Sequence, residues 1–343
     1  MPAIPSSGAV SLTDLSTEFG GDAPHSMSEY YRNGGRVPDN NSNVPASGRI
    51  RFSDWRGAIN QIAINAVNAT NLDVSTLFGS DWTSAVPKKL TVGSGVTIGG
   101  TGSSAAMIIP SNMAGTLEIY NVGNIIGFGG SANGGSGGDA ISNAASGVTV
   151  TNLGLLAGGG GGGGLGGTGG GGSYTQTTAG PSNNIANYMW FVASNHYKIY
   201  WAGFKTQVNT SNPDNITSKS YQGYTYLKGG LHPQRETNKE FLISRRSTVN
   251  TNGGSGGSGG VGQGYNQTNT SGSGGASGGT NAGSGGTGGS GAAYGASGST
   301  GATGANGNSS NGSAGASGGA AGAAVAGTTV TMNNTGTVYG AVA

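Results

Sequence analysis

Glycine at every third residue is the feature that most constrains this chain. The glycine-rich stretches run from Gly158 to Gly172 and from Gly253 to Gly327, with segments such as GGSGGSGGVG at Gly253–Gly262. A polyproline-II-type helix has three residues per turn, rises about 3.1 Å per residue and makes no internal hydrogen bonds. Its main-chain N–H and C=O groups therefore point outward, and a bare glycine face lets a second such helix pair with them. The spacing predicts a lattice of packed polyglycine-II helices.

Two other structures share this composition. Collagen also repeats in threes, but its triple helix depends on abundant proline, and this chain has no proline after Pro233. A flexible Gly/Ser linker is the second alternative, since such tracts usually remain coils. The residues between the glycines are mostly Ser, Ala, Thr and Asn, and no charged residue follows Arg246, whereas solvated linkers commonly carry charge. We favour the packed lattice over both.

Such a lattice cannot be held by hydrophobic burial. Ordering a residue's backbone costs about 1 to 2 kcal/mol, and glycine loses the most freedom, while Ser and Ala offer little apolar area. Hydrogen bonds between the helices, each worth about 0.5 to 1.5 kcal/mol, must supply the stability. Nearly all of them are therefore expected to form.

Composition excludes several classes of protein. Of 343 residues only 8% are charged and 34% hydrophobic, so we expect several small modules rather than one large core. A net charge of +2 gives no indication of a nucleic-acid partner, and the absence of cysteine excludes disulfides. Without a signal-like N-terminus or an 18-residue apolar run, synthesis in a cytoplasm and no membrane insertion are expected.

Residues 1–60 contain an internal duplication. The segment Ile4–Leu15 returns as Val44–Trp55, and Ser26–Tyr31 is a partial third copy. Each copy predicts a short strand followed by a brief helix that opens on an N-cap. The first helical turns carry carboxylates, which suit a helix N-terminus better than acid–base catalysis. These carboxylates are Asp14, Glu29 and Asp54.

A second repeat lies in a β-rich module at 61–156. A strand is followed by N-x-G-x-(I/L/V)-x-G at Asn121–Gly127, at Asn152–Gly158 and again at Asn334–Gly340. The middle glycine is expected to adopt positive φ at a tight turn. Each unit is too short to bury its own apolar face, so the copies should stack. The third copy lies in a C-terminal closing strand at 328–343, so the chain should leave through a lattice at 157–173 and 253–327 and return.

Residues 174–252 have a different composition. The segment contains eight Lys and Arg residues but only three acidic residues, and aromatic residues are frequent. Alternating aromatics predict an inserted β subdomain, whose rings either form its core or stack on sugars. No recognition motif accompanies the charge, so nucleic acid is not expected as a partner. The fold class predicted for the whole chain is mainly β and fibrous, with small N-terminal repeats, a β-solenoid-like or β-sandwich module, the lattice and this subdomain.

The motifs together resemble a known family. The repeated segments PSSGAVSLTD and PASGRIRFSD, the run Asn121–Gly130 and the ending Asn334–Ala341 are similar to glycine-rich tail-fibre and tail-tip proteins of tailed bacteriophages. The glycine stretches resemble the polyglycine-II sandwich of phage adhesins. The resemblance covers 1–60, 90–173 and 253–343, and leaves 174–252 unmatched.

The resemblance implies a function and two sets of site residues. The protein is expected in the virion tail, attached to other tail proteins through 1–60, and displaying 174–252 to a host surface glycan or outer-membrane protein. Stacking of short strands between subunits would favour a homotrimer. The receptor-binding candidates are Tyr188, Trp190, Tyr197, Tyr200, Trp201, Tyr221, Tyr224 and Tyr226. The virion-attachment candidates are Leu12, Leu15, Tyr30, Tyr31, Phe52 and Trp55.

Other functions are weaker. A purely structural tail-tip or decoration subunit is the main alternative, and an ice- or surface-binding protein is another. Enzymatic activity is not expected, because carboxylates are sparse after residue 61 and the three histidines are scattered without metal-ligand spacing. Neither a metal nor a cofactor is predicted. Matches to G-x-G-x-x-G carry no information in so glycine-rich a chain.

Overall fold

The computed structural model describes residues 4–102, 104–179, 188–193, 196–201, 204–209, 218–221, 224–231 and 240–343. Helices are few and short: α1 (Leu12–Phe19), α2 (Val74–Phe78) and the 3₁₀ helices η1 (Met27–Tyr30), η2 (Phe52–Trp55) and η3 (Gly79–Thr83). Within this described part of the chain, no helix has the length and apolar character that a membrane crossing requires. Strands dominate, so the mainly-β prediction is confirmed.

The three N-terminal repeats begin with equivalent helical turns. Asp14 accepts a 2.7 Å hydrogen bond from the Ser11 main-chain N–H, and Glu29 accepts one of 2.8 Å from the N–H of Ser26. In the copy Val44–Trp55 the Arg51 N–H donates to Asp54 at 2.8 Å. The predicted capping role of the carboxylates is confirmed. The predicted strands are wrong, because no strand occurs among residues 4–60.

Equivalent positions of the three copies form the N-terminal core. Leu15, Tyr30 and Trp55 are each fully buried, and the Trp55 indole N–H donates to the Tyr30 carbonyl at 3.0 Å. Each occupies the residue after its capping carboxylate, one apolar side chain per copy. The repeat therefore encodes a small shared core, in which no copy could bury its apolar residue alone.

Most of the described strands form three parallel sheets. The strands in chain order are β1 (Ile62–Asn65), β2 (Ala69–Thr70), β3 (Leu72–Asp73), β4 (Lys88–Val92), β5 (Thr97–Gly99), β6 (Met107–Ile109), β7 (Leu117–Asn121), β8 (Asn124–Ile126), β9 (Ile141–Asn143), β10 (Val148–Asn152), β11 (Leu155–Ala157), β19 (Val325–Gly327), β20 (Thr331–Asn334) and β21 (Thr337–Tyr339). The sheet orders are β1-β4-β7-β10-β20, β2-β5-β8-β11-β21 and β3-β6-β9-β19. The chain thus visits the three sheets in a fixed order, and we call this part the parallel-sheet region.

Apolar side chains stack in register inside the parallel-sheet region. Leu90, Ile119 and Val150 occupy one row of the first sheet, and all three are fully buried. Ile98, Ile125 and Leu156 form the matching row of the second sheet. Burying a side chain of this size contributes about 1.5 to 3 kcal/mol, so these rows are the main stabilising element here. The consecutive strands β4 and β5 belong to different sheets and do not pair with each other.

The N-x-G repeat fulfils a different role from the one predicted. Gly123, Gly154 and Gly336 are not among the residues with positive φ. Instead they stack closely: a Cβ on Gly154 would lie 2.1 Å from the Gly123 carbonyl oxygen, and one on Gly336 would lie 2.4 Å from that of Gly154. Close approach of the main chains at this corner requires glycine. The predicted left-handed turn is wrong.

The asparagines of the same repeat form a ladder. The Asn121 side-chain amide donates to the Asn152 carbonyl oxygen at 2.7 Å, and the Asn152 amide donates to Asn334 at 2.8 Å. Asn121 and Asn152 are fully buried. The ladder therefore ties β20, from the C-terminal part of the chain, to β10 and β7 and gives partners to the buried Asn121 and Asn152 amide groups, while the Asn121 Oδ1 atom is buried without a partner among the described residues.

The chain leaves the parallel-sheet region after β11 and rejoins it at β19. Strand β11 belongs to the second sheet and β19 to the third. Residues 158–324 are therefore an excursion between two strands that follow each other in the order in which the chain visits the sheets. Residues 325–327, predicted as lattice, form β19 instead. Residues 158–171 and 252–324 contain neither α-helix nor β-strand. We call these two stretches, with 127–138, the glycine region.

Lateral main-chain hydrogen bonds connect the segments of the glycine region. The N–H of Gly162 donates to Gly135 at 2.8 Å, that of Gly163 to Gly260 at 2.8 Å, and that of Gly164 to Ser299 at 2.9 Å. Three consecutive residues thus bind three different segments. The pairing recurs every third residue, since Gly160, Gly163 and Gly166 all donate to the segment 257–263. Segment 127–138, predicted as part of the β-rich module, also pairs here.

This packing is possible because glycine has no side chain. A Cβ on Gly163 would lie 1.9 Å from the Gly289 carbonyl oxygen, and one on Gly164 would lie 1.9 Å from that of Ala316. Distances under 3.0 Å require the main chain to move. Leu165, at 43% exposure, points outward from the same segment.

The excursion also carries an antiparallel sheet. Its strands are β12 (Gly172–Ala179), β13 (Tyr188–Ala193), β14 (His196–Trp201), β15 (Phe204–Asn209), β16 (Ser218–Tyr221), β17 (Tyr224–Leu231) and β18 (Glu240–Thr251). The order is β15-β14-β13-β18-β17-β16, and β12 also pairs with β18. The sheet occupies the segment for which the aromatic β subdomain is predicted, with β12 starting two residues earlier.

Candidate functional site: the open face of the antiparallel sheet

The long strand β18 organises the antiparallel sheet. Along residues 244–251 it pairs with β12, and at 243–246 it pairs with β17 on its other side. Directly paired residues of an antiparallel sheet project to the same face, and neighbours along a strand alternate between faces. The register therefore assigns each described side chain to one of two faces.

One face is covered at β17, whereas Gln176 and Thr178 of β12 on the same face are exposed. Tyr226 pairs with Arg245 and is only 3% exposed. The Arg245 guanidinium lies over the Tyr224 ring, with its carbon 4.0 Å from the ring centroid, a cation–π contact. Because Tyr224 and Tyr226 alternate with Thr225, they share this face. We call it the covered face.

The opposite face carries polar side chains in a row. Thr177 pairs with Arg246, Arg246 pairs with Thr225, and Thr225 pairs with Ser220. The row crosses β12, β18, β17 and β16, a width of about 14 Å at the usual strand spacing. Thr177, Arg246 and Ser220 are exposed, and Thr225 is partly buried. We call this side of the sheet the open face.

Hydroxyl groups surround the Arg246 side chain. The Ser220 Oγ and the Thr225 Oγ1 lie 3.3 Å apart and share a hydrogen bond. The adjacent row places Thr175 opposite Thr248, and both are exposed. Among the described residues, Arg246 takes part in no ion pair. The open face therefore presents one unpaired cation within a flat array of hydroxyl donors and acceptors.

The charge of the surrounding segment has the same sign. Residues 174–252 contain eight basic and three acidic residues, an excess of five positive charges. Among the described residues there is no group of three His, Cys, Asp or Glu side chains that could hold a metal ion. The chemistry that this face offers is therefore hydrogen bonding and attraction of anions.

The predicted receptor-binding aromatics fall into two groups. The side chains of six lie outside the described residues, although their main chains belong to β13, β14 and β16: Tyr188, Trp190, Tyr197, Tyr200, Trp201 and Tyr221. The other two, Tyr224 and Tyr226, lie on the covered face. Tyr226 is excluded from solvent, so its interpretation as a ligand contact is replaced by a structural role in the covered face.

The predicted attachment residues also divide. Leu15, Tyr30 and Trp55 form the N-terminal core and present no surface to another protein, because packing within the module occupies them. Leu12 and Tyr31 are partly buried, and Phe52 is 37% exposed. Only these last three have surface available, and attachment itself stays a prediction.

Sequence reasoning missed the row around Arg246. The residues were visible as TQTT on β12 and SRRST on β18, and alternation of hydroxyl side chains was a signal that one face is polar. The register that brings Thr177 beside Arg246 joins residues almost seventy positions apart, which a single sequence does not reveal.

Comparison with known proteins gives two matches. A family model described as "Phage tail fibre adhesin Gp38" matches residues 60–231, which include β1–β17 and half of the chain. A solved structure, the crystal structure of the gp37-gp38 adhesin tip complex of the bacteriophage S16 long tail fiber, aligns over 97% of both chains with 14% identity and a TM-score of 0.39. No curated protein matches the chain.

Proposed function

The chain belongs to the Gp38 family of phage tail fibre adhesins, and from that premise we propose that its antiparallel sheet is the part that contacts the host cell. The exposed polar row of the open face is the observation that carries this proposal. It is a surface of hydrogen-bonding groups held at the end of a stack of main chains. The partner would be a surface glycan or an outer-membrane protein.

The glycine region would act as the rigid support. We interpret it as a polyglycine-II lattice, because consecutive residues pair with three different segments and the pairing returns every third residue. We likewise interpret the parallel-sheet region as a β-solenoid, in which the chain coils through three sheets. A support that is ordered before binding avoids the entropy loss of ordering a flexible arm on contact.

The N-terminal module would join the protein to the tail fibre. Its core is satisfied internally, so contact would come from partly exposed apolar residues such as Phe52 and Tyr31. Removal of residues 4–58 is expected to abolish incorporation into virions while leaving the other regions folded, because the two apolar cores are separate clusters. Incorporation of the truncated protein at the normal level would contradict this role. Several copies on one virion, or a homotrimer, would add avidity.

Excision of the sheet tests the host-contact proposal. Ser173 pairs with Asn250 and Gly172 with Thr251. Replacing residues 174–249 by an Asn-Gly turn would therefore close the chain where β12 and β18 already meet. Purified full-length protein should bind cells of the host strain, and the excised variant should not. Equal binding by both would overturn the proposal.

Measuring virion assembly together with cell binding distinguishes our proposal from the main alternative. If the protein is a purely structural tail-tip subunit without a receptor role, the excised variant would assemble poorly and the full-length protein would not bind isolated cells. Under our proposal the excised variant still enters virions, and those virions adsorb poorly to cells. We propose a binding protein without catalytic activity, present on the virion tail after synthesis in the host cytoplasm.

A further inference from the structure

Resting on the proposed function, we propose that the open face recognises a phosphorylated polysaccharide of the cell surface, with Arg246 binding the phosphate and the flanking hydroxyls binding the sugar. Three observations support this ligand class: the register around Arg246, the polar pairs that extend from Arg246 to Ser173–Asn250 on the same face, and the positive charge of residues 174–252.

The position of Arg246 suits an anion. It lies on the central strand β18, with Thr177 directly on one side and Thr225 on the other. It is exposed, and among the described residues no carboxylate forms an ion pair with it. A guanidinium presents a planar fork of donors that matches a phosphate or a carboxylate in two parallel hydrogen bonds. Two neighbouring hydroxyls can donate to the same anion.

The rows beside Arg246 suit a sugar better than a protein. On the open face, the cross-strand pairs from Ser173–Asn250 to the row of Arg246 are polar, and several of their members are threonines: Thr175, Thr177, Thr225 and Thr248. Leu227 lies on this face only in the next row, on the other side of Arg246. Hydroxyl groups both donate and accept, as sugar hydroxyls do. Protein interfaces usually depend on aromatic or apolar anchors in buried pockets, which these rows lack. The aromatic side chains described nearby, Tyr224 and Tyr226, face the other way.

Charge favours a phosphorylated chain over a neutral one. Residues 174–252 carry an excess of five positive charges, whereas the other 264 residues of the chain carry seven basic and ten acidic residues, a net charge of −3. Long-range attraction raises the local concentration of an anionic polymer before specific contacts form. A repeating polymer also allows many weak contacts, which suits a shallow face.

The test uses dextran phosphate and unmodified dextran of the same length as probes. Full-length protein should bind immobilised dextran phosphate and not dextran, with affinity that falls as salt rises. Arg246→Gln should weaken binding to dextran phosphate about tenfold, as expected for loss of a charge-assisted contact. Arg246→Lys should lie between, because it keeps the charge and loses the fork. Thr177→Val and Thr225→Val should weaken binding about two- to fivefold each, as expected for loss of a single neutral hydrogen bond.

The matched control is Arg245→Gln on the covered face. It removes the same charge from the adjacent residue, so equal weakening by Arg245→Gln and Arg246→Gln would show a nonspecific charge effect and overturn the proposal. The proposal would also be overturned if wild-type protein did not bind dextran phosphate, or if it bound dextran phosphate and dextran equally. Circular dichroism of each variant establishes that the fold is kept.

Cell binding separates this inference from the proposed function. If the variant with residues 174–249 excised loses cell binding while Arg246→Gln keeps it, the host-contact role stands and the phosphate assignment fails, with a protein receptor then favoured. If the excised variant binds cells normally, the proposed function fails. Loss of cell binding by the excised variant, with weaker cell binding and about tenfold weaker dextran phosphate binding by Arg246→Gln, is the result that our inference predicts.

Discussion

The parallel-sheet region and the glycine region both stack extended segments side by side, but opposite features of the side chains stabilise them. In the parallel-sheet region, rows such as Leu90, Ile119 and Val150 fill the interior. In the glycine region, the interior contains main chain, and an added methyl at Gly163 would meet a carbonyl oxygen at 1.9 Å. Buried large side chains specify the parallel-sheet region, and the absence of side chains specifies the glycine region.

The comparison also explains how glycine is distributed. Segment 158–164 is glycine throughout, because its residues face neighbours on every side, as the bonds to 135, 260 and 299 show. Segment 296–307 has glycine only at every third position, such as Gly298 and Gly301, whose absent Cβ atoms would meet the carbonyls of Gly162 and Leu165. The number of glycines in each triplet therefore reports how many sides of a segment are packed.

The largest loss of stability is expected from Gly163→Ala. A methyl in a space of 1.9 Å forces the segments 158–171 and 283–295 apart and interrupts several hydrogen bonds together. We expect a loss of roughly 4 kcal/mol or more, the range in which severe overpacking falls. Thermal unfolding measures it. The control is Ser255→Ala, an exposed position in the same glycine region that should change stability by less than about 0.5 kcal/mol. Equal melting of the two variants would refute steric specification.

The corresponding change in the parallel-sheet region is Ile119→Ala. A cavity in the apolar row should cost about 2 to 5 kcal/mol. Glu118→Ala, at the neighbouring outward position, removes only a 3.1 Å surface ion pair with Lys89 and should cost less than about 1 kcal/mol. Denaturant unfolding compares them. A cost for Ile119→Ala no larger than that for Glu118→Ala would mean that the row does not stabilise the stack.

A smaller effect is expected from Asn152→Ala. This change removes two hydrogen bonds from the middle of the asparagine ladder and leaves the buried Asn121 amide with only its 3.1 Å bond to the Leu155 carbonyl, at a cost of about 1 to 3 kcal/mol. Because the ladder joins β10 to β20, the C-terminal strands should become more accessible to proteases than in wild type. Unchanged proteolysis after residue 325 would show that the ladder does not hold the returning chain.

The smallest effect concerns pH and Lys88. Its ammonium is buried and donates to the carbonyls of Ser84, Val86 and Ala114 at 2.8 to 3.0 Å. Burial lowers the pKa of Lys88 below its usual value of 10.5. Between the lowered pKa and 10.5 the unfolded chain binds more protons, so stability rises with pH in that window. The difference in melting temperature between wild type and Lys88→Met should therefore change in favour of wild type as pH approaches 10.5. A constant difference would contradict this reading.

The sequence predicted repeats better than it predicted the reasons for them. The N-x-G motif recurs because main chains that stack closely on each other need glycine at each equivalent position. The expectation of positive φ at Gly123 was wrong because a turn and a close approach select glycine equally, and only the distance to a neighbouring carbonyl separates them. Strands were wrongly predicted before the N-terminal helices, since alternating apolar residues there fill a small core without pairing.

The candidate site was less predictable than the fold. Aromatic residues are conspicuous in a sequence, yet Tyr226 turns inward, and which face of a strand is covered depends on packing from distant segments. Arg246 could be identified as basic but not as exposed, because its neighbours Thr177 and Thr225 come from separate parts of the chain. Excess positive charge in 174–252 was the one property of the site that composition supplied directly.

Amide hydrogen exchange measures whether lateral main-chain hydrogen bonds stabilise the glycine region. The amides of residues 159–164 all donate to neighbouring segments at 2.8 to 2.9 Å. They should exchange as slowly as those of β10 in the parallel-sheet region. Exchange of residues 159–164 at the rate of an unfolded chain, while β10 stays protected, would contradict the account.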